Sequence, residues 1–272
     1  MKDYSVKIIV ATHKKYEMPK DSMYLPLHVG AEGKKDSRGL DLDLGYIKDN
    51  SGDNISKLNS SFCELTGLYW GWKNIECDYL GLVHYRRHFS LRNKNEFDNV
   101  ITFGELSRYL GKIRVFVPKK RKYYIETLYS HYAHTHYAEH LDETRKLIEQ
   151  KYPSYLSHYD KVIKQTYGYM FNMMIMDREL ISDYCEWLFD ILFALQNHVD
   201  ESKLDSFQAR FYGRVSEILF NVWLEEKIHS RKIDSSEIME ISHIHMERIN
   251  WLKKGIAFLK AKFFSKKYSG SF

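Results

Sequence analysis

The feature that most constrains this chain is an apolar segment that ends in a group of polar side chains. Residues 79–83 read Tyr-Leu-Gly-Leu-Val, a continuous apolar run that is typical of a strand covered on both faces of a sheet. His84, Tyr85, Arg86 and Arg87 follow directly. Because burying these groups is costly, we expect them to reach solvent or an anionic ligand at the carboxyl end of the strand.

The two arginines favour a phosphate ligand. Guanidinium groups donate paired hydrogen bonds to phosphate oxygens, so Arg86 and Arg87 are suited to a diphosphate. His84 or Tyr85 can add a hydrogen bond to the same diphosphate if it is the leaving group of a reaction. The alternative is a surface cluster of salt bridges at a strand end, and these four residues alone do not decide between the two.

Hydrophobic patterns elsewhere predict further strands. Residues 6–11 and 115–117 are short apolar runs, and residues 169–176 are apolar apart from Asn172. Residues 16–57 show little periodicity and carry scattered Gly, Pro, Asp and Lys. We expect this region to form a long ordered loop, of the kind that usually has a function in a compact domain.

Helices are predicted between these strands, which is typical of an α/β fold. Ser61 and Glu64 have the spacing of a capping box at the start of the first helix. A histidine-rich segment then leads into another amphipathic helix that ends before Pro153. Apolar residues at helical spacing predict helices over residues 62–74, 105–110, 178–196 and 213–227, and over part of 131–151.

Length and cysteine content bound the class of protein. A chain of 272 residues can form one large α/β domain or two small ones, and we expect one catalytic domain over residues 1–245. The three cysteines form no Cys-x-x-Cys pair, which favours a reducing compartment. We find no signal-peptide pattern near residue 1 and no stretch that approaches a membrane span, so we expect a cytoplasmic protein.

The net charge of +5 is concentrated near the end of the sequence. Residues 248–272 carry seven Lys or Arg and no acidic residue, and their apolar residues fall on one helical face. We predict that residues 246–272 form a basic amphipathic helix at the headgroup level of an anionic membrane. The alternatives are nucleic-acid binding, which we do not expect, and a helix packed on the domain with a solvated lysine face.

An acidic metal-binding pair is not evident. A divalent cation that bridges a protein to a diphosphate is commonly held by an Asp-x-Asp pair that follows an apolar strand. Asp41-Leu-Asp43 has this spacing but lacks the preceding strand, so we interpret it as a coincidence. Asp53 is a better-placed carboxylate for a donor sugar or nucleotide, although a turn residue is the alternative. No metal ligand is assigned, and Mg²⁺ or Mn²⁺ is not expected as a cofactor.

Histidines and an isolated asparagine are candidates for a second binding region. His131, His134 and His136 lack a neighbouring cysteine or a His-Glu-x-x-His frame, so zinc is the less favoured interpretation. We expect His134 and His136 to contact the hydroxyl groups of a sugar acceptor. Asn172 is either a buried residue satisfied by the backbone or a ligand contact, and as a ligand contact we expect it, like the two histidines, to bind the acceptor.

Glu217 is the leading candidate for a general base. It lies near the start of a predicted helix, with Arg214 close to it in the sequence. A salt bridge between the two is the simple explanation, and a base that deprotonates an acceptor hydroxyl is the functional one.

Five segments of the sequence carry a resemblance when they are taken together: residues 10–14, 52–56, 63–73, 79–89 and 214–224. They resemble one family, the bacterial capsule and exopolysaccharide glycosyltransferases long catalogued as a domain of unknown function. The resemblance spans roughly residues 6–225. Some members are galactofuranosyltransferases that use uridine diphosphate (UDP) galactofuranose, and they look like variants of the GT-A nucleotide-sugar fold.

The resemblance implies a GT-A-like domain with a mixed, mainly parallel sheet flanked by helices. It also implies a donor site, and the usual Asp-x-Asp motif is replaced here by His-Tyr-Arg-Arg. Two arginines can neutralise a departing diphosphate without a cation. If transfer inverts the anomeric centre, Glu217 is our first choice as base and Asp205 the second. The donor-site residues are Thr12, His13, Asp53, Asn54, His84, Tyr85, Arg86 and Arg87.

The resemblance further implies transfer of a sugar, with galactofuranose as a candidate, from a UDP-linked donor to a polyprenyl-diphosphate-linked glycan in capsule, exopolysaccharide or O-antigen synthesis. The basic tail fits such an acceptor at the inner face of the cell membrane. The alternative is a non-catalytic module that binds anionic membrane or nucleic acid through the tail and the basic residues 119–122.

Overall fold

The computed structural model describes residues 3–92 and 94–247, which fold as an α/β protein. The strands are β1 (Val6–Thr12), β2 (Tyr24–His28), β3 (Ile47–Lys48), β4 (Tyr79–His84), β5 (Arg87–Ser90), β6 (Val115–Pro118), β7 (Arg121–Lys122), β8 (Tyr167–Gly168), β9 (Met174–Asp177) and β10 (Ile238–His245). The helices are α1 (Asn59–Phe62), α2 (Leu65–Asn74), α3 (Phe103–Leu106), α4 (Leu128–Thr135), α5 (Glu139–Lys151), α6 (Leu156–Val162), α7 (Arg178–Leu195) and α8 (Phe211–His229).

The chain divides into two compact units. The first contains the described residues up to Lys119 together with Phe171–Cys185 and Ile233–Met246. The second contains Lys120–Met170 and Glu186–Lys232. Helix α7 begins in the first unit and ends in the second.

A mixed eight-stranded sheet forms the first unit. Strands β3, β2, β1 and β4 are neighbours in parallel, and β9 joins β4 to β6 through antiparallel pairing. Strand β10 is parallel to β6, and β5 pairs antiparallel with both β10 and β4. All strands of this sheet except β5 and β9 therefore run in one direction, and the prediction of an α/β fold with a mixed sheet is confirmed.

The two central strands are the most deeply buried. The apolar side chains of β1 and β4 are almost wholly inaccessible, which agrees with their continuous apolar sequences. Gly81 in β4 has a packing reason, because a Cβ atom at this position would lie 2.8 Å from Ile175 Cγ1 and 2.9 Å from the carbonyl oxygen of Met174. Strand β9 therefore approaches β4 more closely than a larger residue allows.

The prediction that residues 16–57 form one loop is wrong in part, because β2 and β3 lie within it. Pro26 hides β2 in the sequence, since proline cannot donate to a strand ladder and argues against a central strand. Here β3 pairs with Leu27 and His28 alone. Pro26 therefore lies in a part of β2 that is flanked by β1 but not by β3.

The single helix predicted over residues 62–74 is also wrong in detail. It is divided into α1 and α2 by Cys63, whose φ of 55° is left-handed. No capping box forms, because Ser61 Oγ donates to the carbonyl oxygen of Leu58 and Glu64 makes no side-chain cap on α2. Strands β5 and β10 were not predicted either, although α7 and α8 lie close to their predicted bounds.

The second unit is mainly helical, with the short strand pair β7 and β8. Helix α8 contributes a stripe of buried apolar side chains to this unit, formed by Phe211, Val215, Leu219, Val222 and Trp223. No helix in the described part of the chain has the length and apolar character needed to cross a membrane. The basic amphipathic helix predicted near the end of the sequence falls on residues 248–272, which lie outside the described residues.

Candidate functional site

The carboxyl ends of β1 and β4 meet at one edge of the sheet, where Ala11 pairs with His84. Ligands commonly bind at this edge of an open α/β sheet. The buried Thr12 hydroxyl donates a 2.6 Å hydrogen bond to the carbonyl oxygen of Lys14. Thr12 therefore turns the chain as it leaves β1 and positions the exposed His13 and Lys14 at this edge.

Tyr85 and Arg86 form a two-residue turn between β4 and β5, because His84 pairs with Arg87 across the hairpin. The Tyr85 ring has cations on its perimeter, with Lys14 Nζ 5.0 Å and the Arg86 guanidinium 5.8 Å from its centroid. Contacts of this length are attractive cation–π interactions. Cationic groups from two separate segments are thus held around one buried ring.

Arg87 contacts a different aromatic ring, that of Phe171. Its guanidinium lies 4.6 Å from the centroid of the Phe171 ring, and its backbone pairs with His245 of β10. The His243 ring lies 5.1 Å from the same Phe171 ring. Burial and the charge of Arg87 lower the pKa of His243 to about 4, so His243 is neutral at physiological pH and adds no positive charge beside Arg87.

His84 belongs to a polar group that also contains Glu64 and Asn172. Its Nε2 atom donates a 2.7 Å hydrogen bond to the carbonyl oxygen of Phe171, which fixes the proton on that nitrogen. Glu64 Oε1 lies 4.0 Å from this nitrogen and accepts a 2.7 Å hydrogen bond from Asn172 Nδ2. Burial lowers the pKa of His84, although the Glu64 charge opposes the shift.

The backbone around this group is strained at three residues. Cys63, Phe171 and Asn172 have φ values of 55°, 78° and 49° without being glycine. Non-glycine residues adopt such angles at a cost, and they concentrate at functional sites where the surroundings hold them. Asn172 is thus a buried residue whose amide contacts a carboxylate, and Glu64 is a site residue that we did not predict from the sequence.

Asp53 and Asn54, the other predicted donor-site residues, shape the loop between β3 and α1. Asp53 Oδ1 accepts a 3.1 Å hydrogen bond from the Tyr69 hydroxyl, and the Asp53 side chain is exposed. The Asn54 amide donates to the carbonyl oxygen of Gly52 and its oxygen accepts from the Ser56 amide. The Asn54 contacts are local turn contacts, whereas the Asp53 contact joins the loop to Tyr69 in α2. The donor role of both residues stays a prediction.

Asp49, which we did not predict, is a buried carboxylate in the same region. It accepts four hydrogen bonds of 2.5–3.0 Å and so joins the loop after β2 to the start of α2. The donors to Asp49 are the amides of Gly30 and Ala31 and the hydroxyls of Ser56 and Thr66.

The literal Asp-x-Asp pair is elsewhere in this loop region, where Asp41 pairs with Lys35 and Asp43 accepts from the Gly45 amide.

The histidine cluster lies in the second unit, where its members have different partners. The buried Glu126 accepts hydrogen bonds of 2.9 Å from His131 and 2.6 Å from His134. Burial opposes ionisation of Glu126, but these hydrogen bonds outweigh it and lower the pKa of the carboxyl. Among the described residues, no group of three or more His, Cys, Asp or Glu side chains is arranged to hold a metal ion.

His136 faces a different set of groups. Its Nδ1 atom lies 2.9 Å from Gln208 Oε1 and 3.3 Å from the Arg214 guanidinium. Burial and the charge of Arg214 lower the pKa of His136 to about 3. His136 is therefore a neutral, buried residue in the second unit.

The predicted bases also lie in the second unit. Glu217 is a partly buried residue of α8. Burial raises the pKa of the Tyr132 hydroxyl, and the negative charge of Glu217 adds to this shift. Asp205 is exposed, and its Oδ1 atom accepts 2.8 Å hydrogen bonds from the backbone amides of Phe207 and Gln208. Asp205 thus caps the turn that precedes α8. The predicted donor residues and Asn172 fall in the first unit, and His134, His136, Glu217 and Asp205 in the second.

Comparison with known proteins identifies relatives of this chain. A family model described as a domain of unknown function, DUF4422, matches residues 7–228. This match confirms the family resemblance inferred from the sequence segments. Among solved structures, the chain is similar to the apo structure of the bifunctional glycosyltransferase WbbM, with 26% identity and a TM-score of 0.80. The similarity covers 90% of this chain and 46% of that one, so the chain spans about half of its relative. No curated protein matches.

Proposed function

The chain belongs to the DUF4422 family, and on that premise we propose that it is a glycosyltransferase that uses a nucleoside-diphosphate sugar. Similarity to a bifunctional glycosyltransferase over 90% of the chain supports this proposal. We propose that residues 1–245 constitute the catalytic domain, that this domain is a variant of the GT-A fold, and that residues 246–272 form a basic amphipathic tail.

The observation that carries the proposal is the set of cations held at the sheet edge. Lys14 and Arg86 lie around the Tyr85 ring, and Arg87 lies over the Phe171 ring. These three cationic groups, held on two aromatic rings, match the charge of a diphosphate, and the two arginines can donate paired hydrogen bonds. In this role they stabilise the negative charge that develops on the leaving diphosphate.

The group formed by Glu64, His84 and Asn172 is suited to the sugar of the donor. A carboxylate accepts hydrogen bonds from hydroxyl groups, and a side-chain amide can both donate to them and accept from them. The hydrogen bond from His84 to the Phe171 carbonyl oxygen fixes the geometry of this group next to Arg87. We therefore propose that Glu64 and Asn172 bind donor hydroxyl groups and that His84 positions the loop which carries Asn172. For Asn172 this replaces the acceptor contact expected from the sequence, because its amide is paired with Glu64.

The finer assignments rest on the family resemblance. We propose a UDP-linked donor, with galactofuranose as the candidate sugar and with Thr12, His13, Asp53 and Asn54 near the nucleotide. The proposed acceptor is a polyprenyl-diphosphate-linked glycan at the inner face of the cell membrane, where the basic tail binds. His134 and His136 are proposed to contact this acceptor, and Glu217 is proposed as the base of an inverting transfer, with Asp205 as second choice.

Thermal unfolding with nucleotides tests the central proposal. A ligand at a hundred times its Kd stabilises a protein by about 2.7 kcal/mol, which for a chain of this size raises Tm by roughly 5 °C. UDP should produce this shift in the wild type, whereas Arg86→Ala and Arg87→Ala should lose most of it. Arg38→Ala is a matched control, because Arg38 is an exposed arginine that pairs with Asp36. If no nucleoside diphosphate stabilises the wild type, the proposal fails.

A further inference from the structure

Two large apolar side chains project side by side from the second unit. Tyr124 is 82% exposed and its neighbour Ile125 is 75% exposed. Among the other large apolar residues that the structure describes, Leu40 follows at 58%. Single exposed apolar residues are ordinary, but adjacent ones at a turn form a patch that marks an interaction site.

The backbone holds this pair away from the protein. Tyr124 has a φ of 59°, and the Ile125 amide donates a 2.7 Å hydrogen bond to the carbonyl oxygen of Tyr123, which closes a tight three-residue turn. The Tyr123 amide in turn donates a 2.7 Å hydrogen bond to the Thr166 carbonyl oxygen, and the Leu128 amide donates one of 2.8 Å to that of Gln165. The projection is therefore anchored on both sides, in a conformation that strains a non-glycine residue.

Cationic and aromatic side chains surround the pair. Lys120 Nζ lies 5.2 Å from the centroid of the exposed Tyr167 ring, and the Arg121 guanidinium lies 4.7 Å from that of Tyr123. Lys122 is exposed next to them. The acidic residue that follows, Glu126, is only 3% exposed and accepts hydrogen bonds from two histidines. The exposed side of this segment is consequently basic and amphipathic.

We propose that this segment, residues 120–125 with Tyr167, docks onto an anionic membrane surface; we name it the Tyr124 turn. Tyrosine and lysine suit the headgroup level, where an apolar body and a polar tip are both satisfied. The three cations attract anionic lipids. The exposed aliphatic Ile125 favours a lipid surface, because an aliphatic side chain can enter the headgroup and acyl boundary but has no stacking role on nucleic-acid bases. It adds a second membrane contact to the one proposed for the basic tail, and it does not depend on the proposed diphosphate site.

Sedimentation of the full chain with lipid vesicles tests the proposal. We expect binding to vesicles that contain phosphatidylglycerol and little binding to pure phosphatidylcholine. The double variant Tyr124→Ser/Ile125→Ser should lower the partition coefficient about tenfold, because it removes the apolar contact. Lys122→Gln should lower it about fivefold, with a weaker dependence on salt. Every variant retains the tail, so the tail contributes equally to all of them.

Leu40→Ser is the matched control, since it removes an exposed apolar side chain from the first unit. It should bind vesicles like the wild type, and all variants should share the wild-type Tm because the altered side chains are exposed. A double variant whose partition coefficient equals that of the wild type overturns the proposal. So does equal binding of the wild type to the two kinds of vesicle, or a double variant that loses binding to single-stranded RNA and keeps binding to vesicles.

Discussion

The Nε2 atom of His84 donates a 2.7 Å hydrogen bond to the backbone carbonyl oxygen of Phe171. This contact joins the last residue of β4 to a residue whose φ is 78°, in the segment just before β9. The ring of Phe171 packs against Arg87. A single histidine therefore couples the strand end that carries the arginines to the strained loop that carries Asn172.

Replacing His84 should loosen this loop. His84→Phe leaves the Phe171 carbonyl without its donor, which should lower the free energy of unfolding by about 1–3 kcal/mol and reduce both UDP affinity and transfer. Urea unfolding and UDP titration measure the two effects. His198→Phe is the control, because His198 is a partly exposed residue beside Glu143. An unchanged UDP affinity in His84→Phe contradicts the positioning role.

The two candidate bases should respond differently to neutralisation. Glu217→Gln should lower kcat about 10²- to 10⁴-fold with little change in donor affinity, as expected for loss of a general base. Asp205→Asn should instead leave kcat and stability close to the wild-type values, because the asparagine oxygen can still accept the amides of Phe207 and Gln208. Steady-state kinetics and unfolding of both variants distinguish these effects. The reverse pattern assigns the base to Asp205.

Removing the carboxylate of Asp49 should destabilise the protein strongly. Asp49→Ala removes the acceptor of four donors in a buried site. The Thr66 hydroxyl can still donate to the carbonyl oxygen of Cys63, but each donor left unsatisfied costs about 1–3 kcal/mol. We expect a total loss of at least about 3 kcal/mol, measured by urea unfolding. Asp43→Ala is the control, since Asp43 is exposed and accepts one amide. Equal stability of the two variants refutes the proposed anchoring role of Asp49.

Stability should fall as the pH decreases below the ordinary histidine range. Burial holds the pKa of His88 at about 4, against an ordinary value of 6.5. The unfolded chain therefore binds a proton between these pH values that the folded chain does not, so this contribution is complete above about pH 6.5 and disappears towards pH 4. It amounts to at most about 3 kcal/mol.

Urea unfolding at a series of pH values checks this expectation. His88→Phe should be less sensitive to pH than the wild type, although His136 and His243, whose pKa values are also lowered, keep part of the slope. An identical pH dependence in the variant and the wild type rules out the assigned role of His88.

Chelation should leave transfer largely intact. Lys14, Arg86 and Arg87 provide three positive charges at the sheet edge, and such charges can neutralise a departing diphosphate in place of a cation. Transfer rates measured with and without excess EDTA provide the test. Complete loss of transfer that Mg²⁺ or Mn²⁺ restores demonstrates that a cation site exists and that the diphosphate site contains more than Lys14, Arg86 and Arg87.

The sequence determined the buried strand β4 and the polar residues at its end. Both are local features: a strand covered on two faces needs a continuous apolar run, and the following charged residues must leave the core. Helices α7 and α8 were predictable for the same reason, because their apolar periodicity is written in consecutive residues. The family resemblance also came from short segments, and the match to residues 7–228 agrees with it.

The tertiary structure alone decided which distant residues share the site. Glu64 and Asn172 are 108 positions apart, and His84 and Phe171 are 87 apart, so no local pattern predicts that they meet. Strand β5 is short and gains its main partner from β10, far along the chain. Backbone angles such as that of Cys63 are imposed by surrounding contacts rather than by the residue type. Local apolar patterning thus specified elements such as β4, α7 and α8, whereas long-range pairing placed Glu64 and Asn172 beside His84.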